Sequence, residues 1–528
     1  MAKINKIVIV GGGTSGWATA NIMIDRISPK NNTEIVLIES PEIPIIGVGE
    51  STTGQMPYTI NNINHLGDEL EFLKATGSTF KYGIKHSDWA EVGKSFNSPI
   101  MPDYFNSTRF PHESYDYLRA YHVAENKSVD SFYHSQCMIY DKVFYVKGEF
   151  NNPYPSLISN MGHNFLDTTS YAYHMDAYKT GDYLRKKALE TNRMQRVEAT
   201  VQDVVRDDQG YITGLVIDDG SVVEGDLFID CSGFKRVLKT EDNEFISYAD
   251  QLLVNKALII PKQYEEDFDT VRTYTHAKAM KYGWMFEIPL QERMGRGYNF
   301  ASQYISEDEA YQELVEALGE EVEVKNTISF EPGRLSRFWD RNVIFVGISS
   351  GFMEPLEATT IHITLKEVEH FMEAYYHNNI DLKNTAIKNQ FNRDMSYLYD
   401  ENKDFLVFHY QHTRQDTEFW RDASKPELMS EKLKSNLELW KTRTPRLIDM
   451  SDSPLDNYLL LGTVLYYQLC IGMSVLEPQM AKEELEYYDL YDLAAQEFES
   501  VKKFGQYTIA RSMKAAEFYK KVRLGEIK

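Results

Sequence analysis

The N-terminal stretch KIVIVGGGTSGWATANIMI constrains the fold of this chain more than any other feature. A β-branched apolar run over residues 7–10 predicts a strand buried on both faces of a parallel sheet. Three glycines follow in the spacing G-x-G-x-x-G, and no helix breaker stands in the segment after them. A second apolar strand, EIVLIES, then ends in Glu39. Strand, glycine turn, helix, strand and acid, in this order, predict a Rossmann-like dinucleotide site.

Each position of the glycine turn has a physical task in such a site. Gly11 permits the tight turn, Gly13 lets the backbone approach a pyrophosphate, and Gly16 lets the helix pack close to the strand. The start of the helix offers free N–H groups and the positive end of its dipole to the phosphates. Glu39 stands where a carboxylate can accept the ribose hydroxyls.

Two further segments indicate FAD rather than NAD. Residues 197–233 predict a β-meander, with a first strand over 197–205, and its last strand DLFIDCSG ends in Ser232-Gly233. The stretch NVIFVGISSGFMEP predicts a third buried strand that opens into a glycine- and serine-rich turn and a helix. This order of elements resembles the FAD-binding monooxygenase and reductase superfamily. The superfamily's usual aspartate is absent, because Ile348 follows Gly347.

Composition limits the remaining possibilities. The chain has 528 residues, of which 42% are hydrophobic, enough for one large domain or two to three ordinary ones. Its formal charge is 56 − 79 = −23, which argues against nucleic acid as a partner. The three cysteines, Cys137, Cys231 and Cys470, form no Cys-x-x-Cys pair. We therefore predict no disulfide framework, no metal site and a cytoplasmic location. No apolar run is long enough to span a bilayer, so we predict no membrane partner.

Several motifs resemble those of the flavin-dependent halogenases of the tryptophan-halogenase type, over about residues 5–475. PIIGVGEST (44–52) resembles the family's strap loop, which lies along the flavin. TFKYGIKHSDW resembles the segment with the catalytic lysine, and GWMFEIP (283–289) aligns with the family's Trp-x-Trp-x-Ile-Pro, with Phe286 in place of the second tryptophan. The further matching stretches are YAYHMDA (171–177), FMEPLEATTIHI and DFLVFHYQHTRQDTEFW (404–420).

The resemblance implies an α/β fold with a Rossmann-like FAD-binding domain of the glutathione-reductase-like superfamily. Residues 1–375 would form the FAD-binding core, and 376–528 a mainly helical region that caps the substrate. The FAD site would be built from 5–50, 197–233 and 341–370, and substrate-side insertions would lie at about 81–170 and 240–335. The implied cofactor-binding residues are Gly11, Gly13, Thr14, Ser15, Gly16, Trp17, Glu39, Gly47, Val48, Gly49, Glu50, Val201, Ser232, Gly233, Gly347, Ile348 and Ile361.

The resemblance also implies a reaction. Reduced FAD would react with O2 to a C4a-hydroperoxide, a halide would attack it, and the hypohalous acid would travel to Lys81. The lysine could hydrogen-bond the acid as an ammonium or form a haloamine as an amine. Glu357 would stabilise the cationic arene and take its proton, with Glu354 as the competing candidate. The backbone N–H groups of Thr359 and Thr360 would face the halide.

The chain departs from the family at the halide and at the substrate. The family commonly has Glu-Ser-Thr-Gly where this chain has Glu-Ala-Thr-Thr at 357–360. Because these residues lie at the predicted halide site, the sequence leaves three candidate halides: chloride, bromide and iodide. Ser107, Arg109 and Leu461 stand near positions where tryptophan-specific members hold the indole between aromatic side chains. The residues that hold the amino acid's carboxylate have no clear match in 445–463. We therefore expect an electron-rich indole- or phenol-like arene other than free tryptophan.

Alternatives and partners complete the predictions. A flavin-dependent hydroxylase or reductase on the same scaffold is the second hypothesis, and a non-catalytic flavin-binding protein is the third. A separate flavin reductase would supply FADH2, since one Rossmann fingerprint is present. The oligomeric state is open, a homo-oligomer included, and so is a carrier-tethered substrate. The alternation in GWMFEIP predicts a strand that has Trp284 and Phe286 on one face and ends at Pro289. This strand is either half-buried or a wall of the active site. The predicted tunnel residues are Trp284, Phe286, Pro289 and Glu354.

Overall fold

The computed structural model describes residues 4–42, 49–100, 115–145, 171–266, 268, 271–377, 379–450 and 463–527. Within these residues, no helix combines the length and the apolar character needed to cross a membrane.

The strands are numbered in chain order. They are β1 (Lys6–Val10), β2 (Glu34–Glu39), β3 (Glu50–Ser51), β4 (Thr79–Lys81), β5 (Gly83–Ser87), β6 (Ser95–Pro99), β7 (Lys142–Val143), β8 (Ala172–Met175), β9 (Gln195–Glu198), β10 (Val201–Arg206), β11 (Ile212–Ile217), β12 (Val222–Glu224), β13 (Leu227–Asp230), β14 (Phe245–Ser247), β15 (Lys256–Ile259), β16 (Lys262–Gln263), β17 (Thr275–Met280), β18 (Gly283–Pro289), β19 (Arg293–Phe300), β20 (Asn326–Ser329), β21 (Gly333–Leu335), β22 (Trp339–Asp340), β23 (Val343–Phe345), β24 (Gly351–Phe352) and β25 (Met513–Lys514).

The α-helices are numbered in the same way. They are α1 (Thr14–Arg26), α2 (Gln55–Asn62), α3 (Glu69–Thr76), α4 (Tyr117–Ala124), α5 (Tyr133–Tyr140), α6 (Ala177–Glu190), α7 (Glu307–Leu318), α8 (Thr359–His370), α9 (Thr385–His409), α10 (Glu418–Ala423), α11 (Glu431–Leu439), α12 (Leu447–Met450), α13 (Thr463–Gly472), α14 (Pro478–Tyr487), α15 (Tyr491–Arg511) and α16 (Ala515–Leu524).

The first sheet is the Rossmann-like sheet that the glycine motif predicts. Its six strands have the order β22-β23-β13-β1-β2-β9, and all neighbours are parallel except β22 and β23. The apolar run of β1 is buried along Ile7–Val10, between β2 on one side and β13 on the other. Parallel central strands are covered on both faces, which explains the continuous β-branched sequence. The predicted α/β fold is confirmed.

One predicted strand is wrong in extent. The sequence predicts a single strand over 197–205, but the chain forms two, β9 and β10, in different sheets. β9 adds to the edge of the parallel sheet beside β2, whereas β10 starts the antiparallel meander β10-β11-β12. Between them, the Ala199 amide donates to the Glu39 carbonyl and ends the parallel ladder. Apolar alternation continues across this change of partner, and therefore it does not mark the break.

The largest sheet lies on the substrate side. It has the order β20-β15-β19-β18-β17-β5-β6, with β16 also paired to β19. The motif GWMFEIP forms β18, an interior strand between β17 and β19. Its side chains are buried on both faces except that of Glu287, which is half-buried. The expectation of a strand that ends at Pro289 is confirmed, but the strand is buried on both faces rather than on one.

A small sheet, β3-β8-β4, brings the end of the strap motif against the predicted lysine strand. β8 is the middle strand and pairs antiparallel with both neighbours. The described residues after 376 are mainly helical, and the last helix, α16, packs behind β4. There the Phe80 amide donates to the Tyr519 hydroxyl at 2.6 Å. The C-terminal region therefore supports the strand that carries Lys81.

Candidate active site

Three discontinuous segments meet at the carboxyl ends of β1, β13 and β23. A Cβ atom on Gly11, whose φ is +115°, would lie 2.3 Å from the Cys231 carbonyl oxygen. The Gly233 amide donates to the Ser349 hydroxyl at 2.9 Å, which joins the second segment to the third. A Cβ on Gly347 would lie 2.6 Å from the Ser15 hydroxyl oxygen, which joins the third to the first. These contacts bring together the strand ends predicted to hold the cofactor.

The residues at the start of α1 fit a dinucleotide. Gly13 is the N-cap of α1, and no side chain caps the helix. A Cβ on Gly13 would meet no protein atom within 4 Å, so the space above it is open. The first amides of a helix lack intrahelical acceptors and attract phosphate. Thr14 and Ser15 form the first turn beside this space.

Glu39 is held in place at the end of β2. It accepts a hydrogen bond from the Trp17 indole Nε1 at 3.1 Å and pairs with Arg196. A Cβ on Gly12 would come within 1.9 Å of its Oε2, so the glycine turn passes directly over the carboxylate. Trp17 is buried, and its hydrogen bond orients the Glu39 carboxylate.

The other predicted cofactor residues occupy several places. Gly47 and Val48 lie outside the described residues. Gly49 lies against β19, where a Cβ would be 3.3 Å from the Gly295 Cα, and Val201 begins β10. Loss of solvent, and then the charge of Asp176, raise the pKa of Glu50 to about 7.

The turn after β23 is tied to α8 by a buried carboxyl. Glu367 accepts from the Gly347 amide at 2.7 Å and also from the Ser350 hydroxyl. Burial raises the pKa of Glu367 to about 8. Ile348 lies in this turn, and Ile361 in the first turn of α8. The helix that begins at the predicted halide site therefore also positions the turn predicted to form part of the FAD site.

Lys81 is the last residue of β4 and is 1% exposed. Its Nζ donates to the carbonyl oxygen of Thr52, the last residue of the strap motif, at 2.9 Å. Burial lowers the pKa of Lys81 to about 8, although the charge of Glu357 acts in the opposite direction. The lysine is therefore mainly an ammonium at neutral pH and becomes an amine as the pH rises through about 8.

Glu357 is buried directly before α8 and contacts a histidine. Its Oε1 lies 2.7 Å from His409 Nε2, while His409 Nδ1 lies 2.8 Å from the Phe405 carbonyl oxygen. A carbonyl can only accept, so Nδ1 donates, and a second proton lies between Nε2 and the carboxylate. Burial opposes ionisation of Glu357, but the hydrogen bond from His409 and its charge outweigh it and lower the pKa of the carboxyl.

The predicted halide residues are the first two of α8. The helix begins at Thr359 after Ala358, whose φ is +59°, and no side chain caps it. The amides of Thr359 and Thr360 consequently lack intrahelical acceptors. Asn402 donates from Nδ2 to the Thr359 hydroxyl at 3.0 Å, so this hydroxyl is held on the α9 side. Two adjacent amides at a helix N-terminus can bind a small anion.

Trp284 and Glu354 form one contact of the predicted tunnel wall. The Trp284 Nε1 and the Tyr410 hydroxyl both donate to Glu354 Oε2 at 2.7 Å. Burial raises the pKa of Glu354 to about 7, against these two bonds. Trp284 and Phe286 share one face of β18, with ring centroids 6.1 Å apart. Pro289 accepts from the Thr79 hydroxyl through its carbonyl oxygen and so joins β18 to the lysine strand.

Sequence reasoning missed the partners of the two main candidates. His409 and Tyr410 lie in the stretch DFLVFHYQH, which matches the family pattern but does not mark either residue as a partner of Glu354 or Glu357. His86 follows Lys81 by five residues, and its Nε2 lies 3.7 Å from Glu357 Oε1. Nothing in the spacing from 86 to 357 or 409 predicts this meeting. Ser107, Arg109 and Leu461 lie outside the described residues, and so does nearly all of 445–463 after residue 450.

Comparison with known proteins agrees with this architecture. A family profile described as tryptophan halogenase matches residues 6–480. The tryptophan 6-halogenase ThaL of Streptomyces albogriseolus is 30% identical over 464 residues, 85% of this chain and 84% of its own. The tryptophan 7-halogenase RebH of Lentzea aerocolonigenes is 30% identical over 460 residues, 83% of this chain and 82% of its own.

A solved structure gives the same result. The crystal structure of the tryptophan 6-halogenase SttH from Streptomyces toxytricini superimposes with a TM-score of 0.83 at 26% identity, covering 98% of this chain and 100% of that one. The chain belongs to the tryptophan halogenase family. It is a flavin-dependent halogenase, an enzyme class that needs a separate flavin reductase. The family implies FADH2, O2 and a halide ion for its reaction.

Proposed function

We propose that this enzyme halogenates an electron-rich indole- or phenol-like arene other than free tryptophan, with Lys81 and Glu357 as its catalytic residues. The observation that carries the proposal is that these two buried groups, which are of opposite charge and interact electrostatically, are each held by a partner of their own. Lys81 donates to Thr52 and Glu357 accepts from His409. Buried charges are costly to maintain, so a paired set in one site is a functional candidate.

Bound reduced FAD, together with O2 and halide, would supply hypohalous acid. Gly13 and the first turn of α1 would hold the pyrophosphate, and the amides of Thr359 and Thr360 would hold the halide. The strap motif would lie along the cofactor, and its last residue, Thr52, accepts the Lys81 hydrogen bond.

Lys81 would hold the oxidant at the substrate. As an ammonium its Nζ has three N–H donors, and Thr52 accepts one of them. A remaining donor can hydrogen-bond the oxygen of hypohalous acid and make its halogen more electrophilic. The amine form, in contrast, would be converted to a haloamine. We favour the ammonium, because the nearby Glu357 carboxylate stabilises it.

Glu357 would act on the arene. Attack of the ring on the halogen breaks the O–halogen bond, and the hydroxide takes a proton from the Lys81 ammonium and leaves as water. The cationic ring that remains is stabilised by a nearby carboxylate, which then takes the ring proton. The lowered pKa of Glu357 keeps it ionised for this task. His409 fixes the carboxylate and holds one of its oxygens, which leaves Oε2 for the proton.

The substrate class rests on positions that differ from those of tryptophan-specific members. Ser107, Arg109 and Leu461 stand near the positions where those members use aromatic side chains, and the carboxylate-binding residues have no clear counterpart. Free tryptophan is the second candidate, since several relatives are tryptophan halogenases by name.

An assay with defined components tests the proposal. The enzyme is incubated with FAD, a flavin reductase, NADH and either chloride, bromide or iodide, against indole, a phenol and tryptophan. Mass spectrometry should detect monohalogenated indole or phenol, above the amount formed by the Lys81→Met variant. Faster halogenation of tryptophan would overturn the substrate proposal, and oxygenated products without halogen would indicate a hydroxylase.

A further inference from the structure

Three side chains with metal-binding chemistry meet in the interior from distant parts of the sequence. They are His86 on β5, Glu357 before α8 and His409 at the end of α9, and one ligand atom from each lies within 4.8 Å of the others. Glu357 Oε1 is 2.7 Å from His409 Nε2 and 3.7 Å from His86 Nε2. Tetrahedral zinc with ligands at about 2.0–2.1 Å places neighbouring ligands roughly 3.3 Å apart. The two contacts of Glu357, at 2.7 and 3.7 Å, lie on either side of this value.

His86 is buried, and neither of its ring nitrogens has a hydrogen-bond partner among the described residues. Its ring stacks on Phe96 with centroids 4.8 Å apart and meets Trp89 edge to face at 5.7 Å. The aromatic neighbours fix the ring plane but offer no partner to the nitrogens. Buried polar atoms without partners are unusual and indicate an ion, a water or a ligand.

His409 is oriented as metal-binding histidines commonly are. Its Nδ1 donates to the Phe405 carbonyl oxygen at 2.8 Å, which turns Nε2 toward Glu357. A backbone carbonyl in this position fixes the ring of a ligating histidine and increases its basicity. The 2.7 Å contact between Nε2 and Oε1 holds one proton, which an incoming ion would displace into solution.

We propose that His86, Glu357 and His409 form a binding site for a divalent transition-metal ion of the zinc class. Two imidazoles and one carboxylate favour zinc, cobalt, nickel or copper over magnesium and calcium. Three protein ligands leave a fourth position for water. The absence of a Cys-x-x-Cys pair predicted no metal site, but this site uses no cysteine and is assembled only by the fold.

Metal binding would affect the reaction through Glu357. An ion that coordinates the carboxylate removes the group that stabilises the cationic arene and takes its proton. Zinc would therefore act as an inhibitor, and a chelator would restore activity. This consequence rests on the proposed function, whereas binding of the ion does not.

Direct binding tests the site without an assay of activity. The chelator-treated protein is titrated with zinc in a calorimeter and with cobalt in an absorption spectrometer, where coordinated Co²⁺ gives visible bands. We expect one ion to bind per chain and one proton to be released. The number of protons is obtained from the way the heat of binding changes between buffers of different ionisation enthalpy. No binding up to about 1 mM ion would overturn the proposal.

Matched variants locate the ion. His86→Phe keeps an aromatic ring against Phe96, and His409→Gln keeps a polar side chain beside Glu357. Each should weaken binding by more than about 100-fold, since even outer-shell partners of metal ligands contribute about 10–100-fold. His377→Gln, at an exposed histidine, should leave the affinity unchanged. Unchanged affinity in either site variant would overturn the three-ligand site, and circular dichroism confirms that each variant is folded. His86→Gln repeats the test if the phenylalanine variant does not fold.

Discussion

His409 Nε2 lies 2.7 Å from Glu357 Oε1, and the same imidazole donates from Nδ1 to the carbonyl oxygen four residues earlier in α9. The last residue of a long helix thus holds the carboxylate that precedes the start of another helix, 52 residues away in sequence. This contact orients one oxygen of Glu357 and keeps the carboxyl ionised in a buried site. We infer that Glu357 and His409 act as one unit.

Substitution of the two residues should therefore be non-additive. We expect Glu357→Gln to lower kcat by about 10²–10⁴-fold, the usual contribution of a positioned acid or base. His409→Gln should lower it by less, and the double variant should be no slower than Glu357→Gln. His412→Gln, at an exposed histidine three residues on, is the control. Steady-state kinetics measure kcat of the three variants. If the fold-losses in kcat of the two single variants multiply in the double variant, the residues act independently.

Lys81→Met should abolish halogenation while FAD still binds. The variant keeps the length of the side chain but removes the donor that we propose for hypohalous acid, so we expect a loss of at least about 10²-fold. Lys85→Met, at a half-buried lysine on the neighbouring strand, should retain activity. Product mass spectrometry and flavin fluorescence measure the two properties. Product formation at the wild-type rate would contradict the role of Lys81.

The pH dependence of the reaction distinguishes the two forms of Lys81. Its pKa is about 8, so the ammonium predominates below pH 8 and the amine above it. If the ammonium holds the oxidant, kcat should fall as the pH rises through about 8. A rate that instead increases through this range would indicate the haloamine. The flavin reductase must be present in excess at each pH, so that the supply of FADH2 does not limit the rate.

Gly13→Val should weaken FAD binding without unfolding the protein. A Cβ at Gly13 meets no protein atom within 4 Å, so the side chain enters the space proposed for the pyrophosphate. We expect affinity to fall by roughly tenfold or more, about 1.4 kcal/mol. Gly16→Ala is the contrasting variant, because its Cβ would lie 1.9 Å from the Gly11 carbonyl oxygen and should lower stability. Equal FAD affinity in Gly13→Val would place the cofactor elsewhere.

Phe286→Trp, which restores the family's second tryptophan, should destabilise this chain. Phe286 faces Gly297 across the strand pair, and a Cβ on Gly297 would lie 2.5 Å from the Phe286 ring. The ring fills this space, so the larger indole should lower the free energy of unfolding by about 1–3 kcal/mol. Met285→Leu, on the opposite face of β18, should cost less. Urea denaturation measures both, and an unchanged or higher stability of Phe286→Trp would contradict the packing argument.

The parts of the fold that depend on local order could be predicted from the sequence. Strand β1, the glycine turn, helix α1 and strand β2 follow one another within about 40 residues, and their pattern is unambiguous. The alternation in GWMFEIP predicts a strand with Trp284 and Phe286 on one face, and the structure confirms it. The burial of its second face could not be predicted, because Met285 on that face joins Ala310 and Leu314 of α7 in one apolar cluster only after the chain has folded.

The sequence by itself determined the dinucleotide-binding half-fold, the halogenase family and the candidate pair Lys81 and Glu357, because each depends on a short motif whose chemistry is local. Only the tertiary structure decided what surrounds the pair. His409 comes from α9, His86 from β5 and the Thr52 carbonyl from the strap motif, and no spacing in the sequence relates them. The pKa of a buried charge depends on such neighbours and on the loss of water around it, and both exist only in the folded chain.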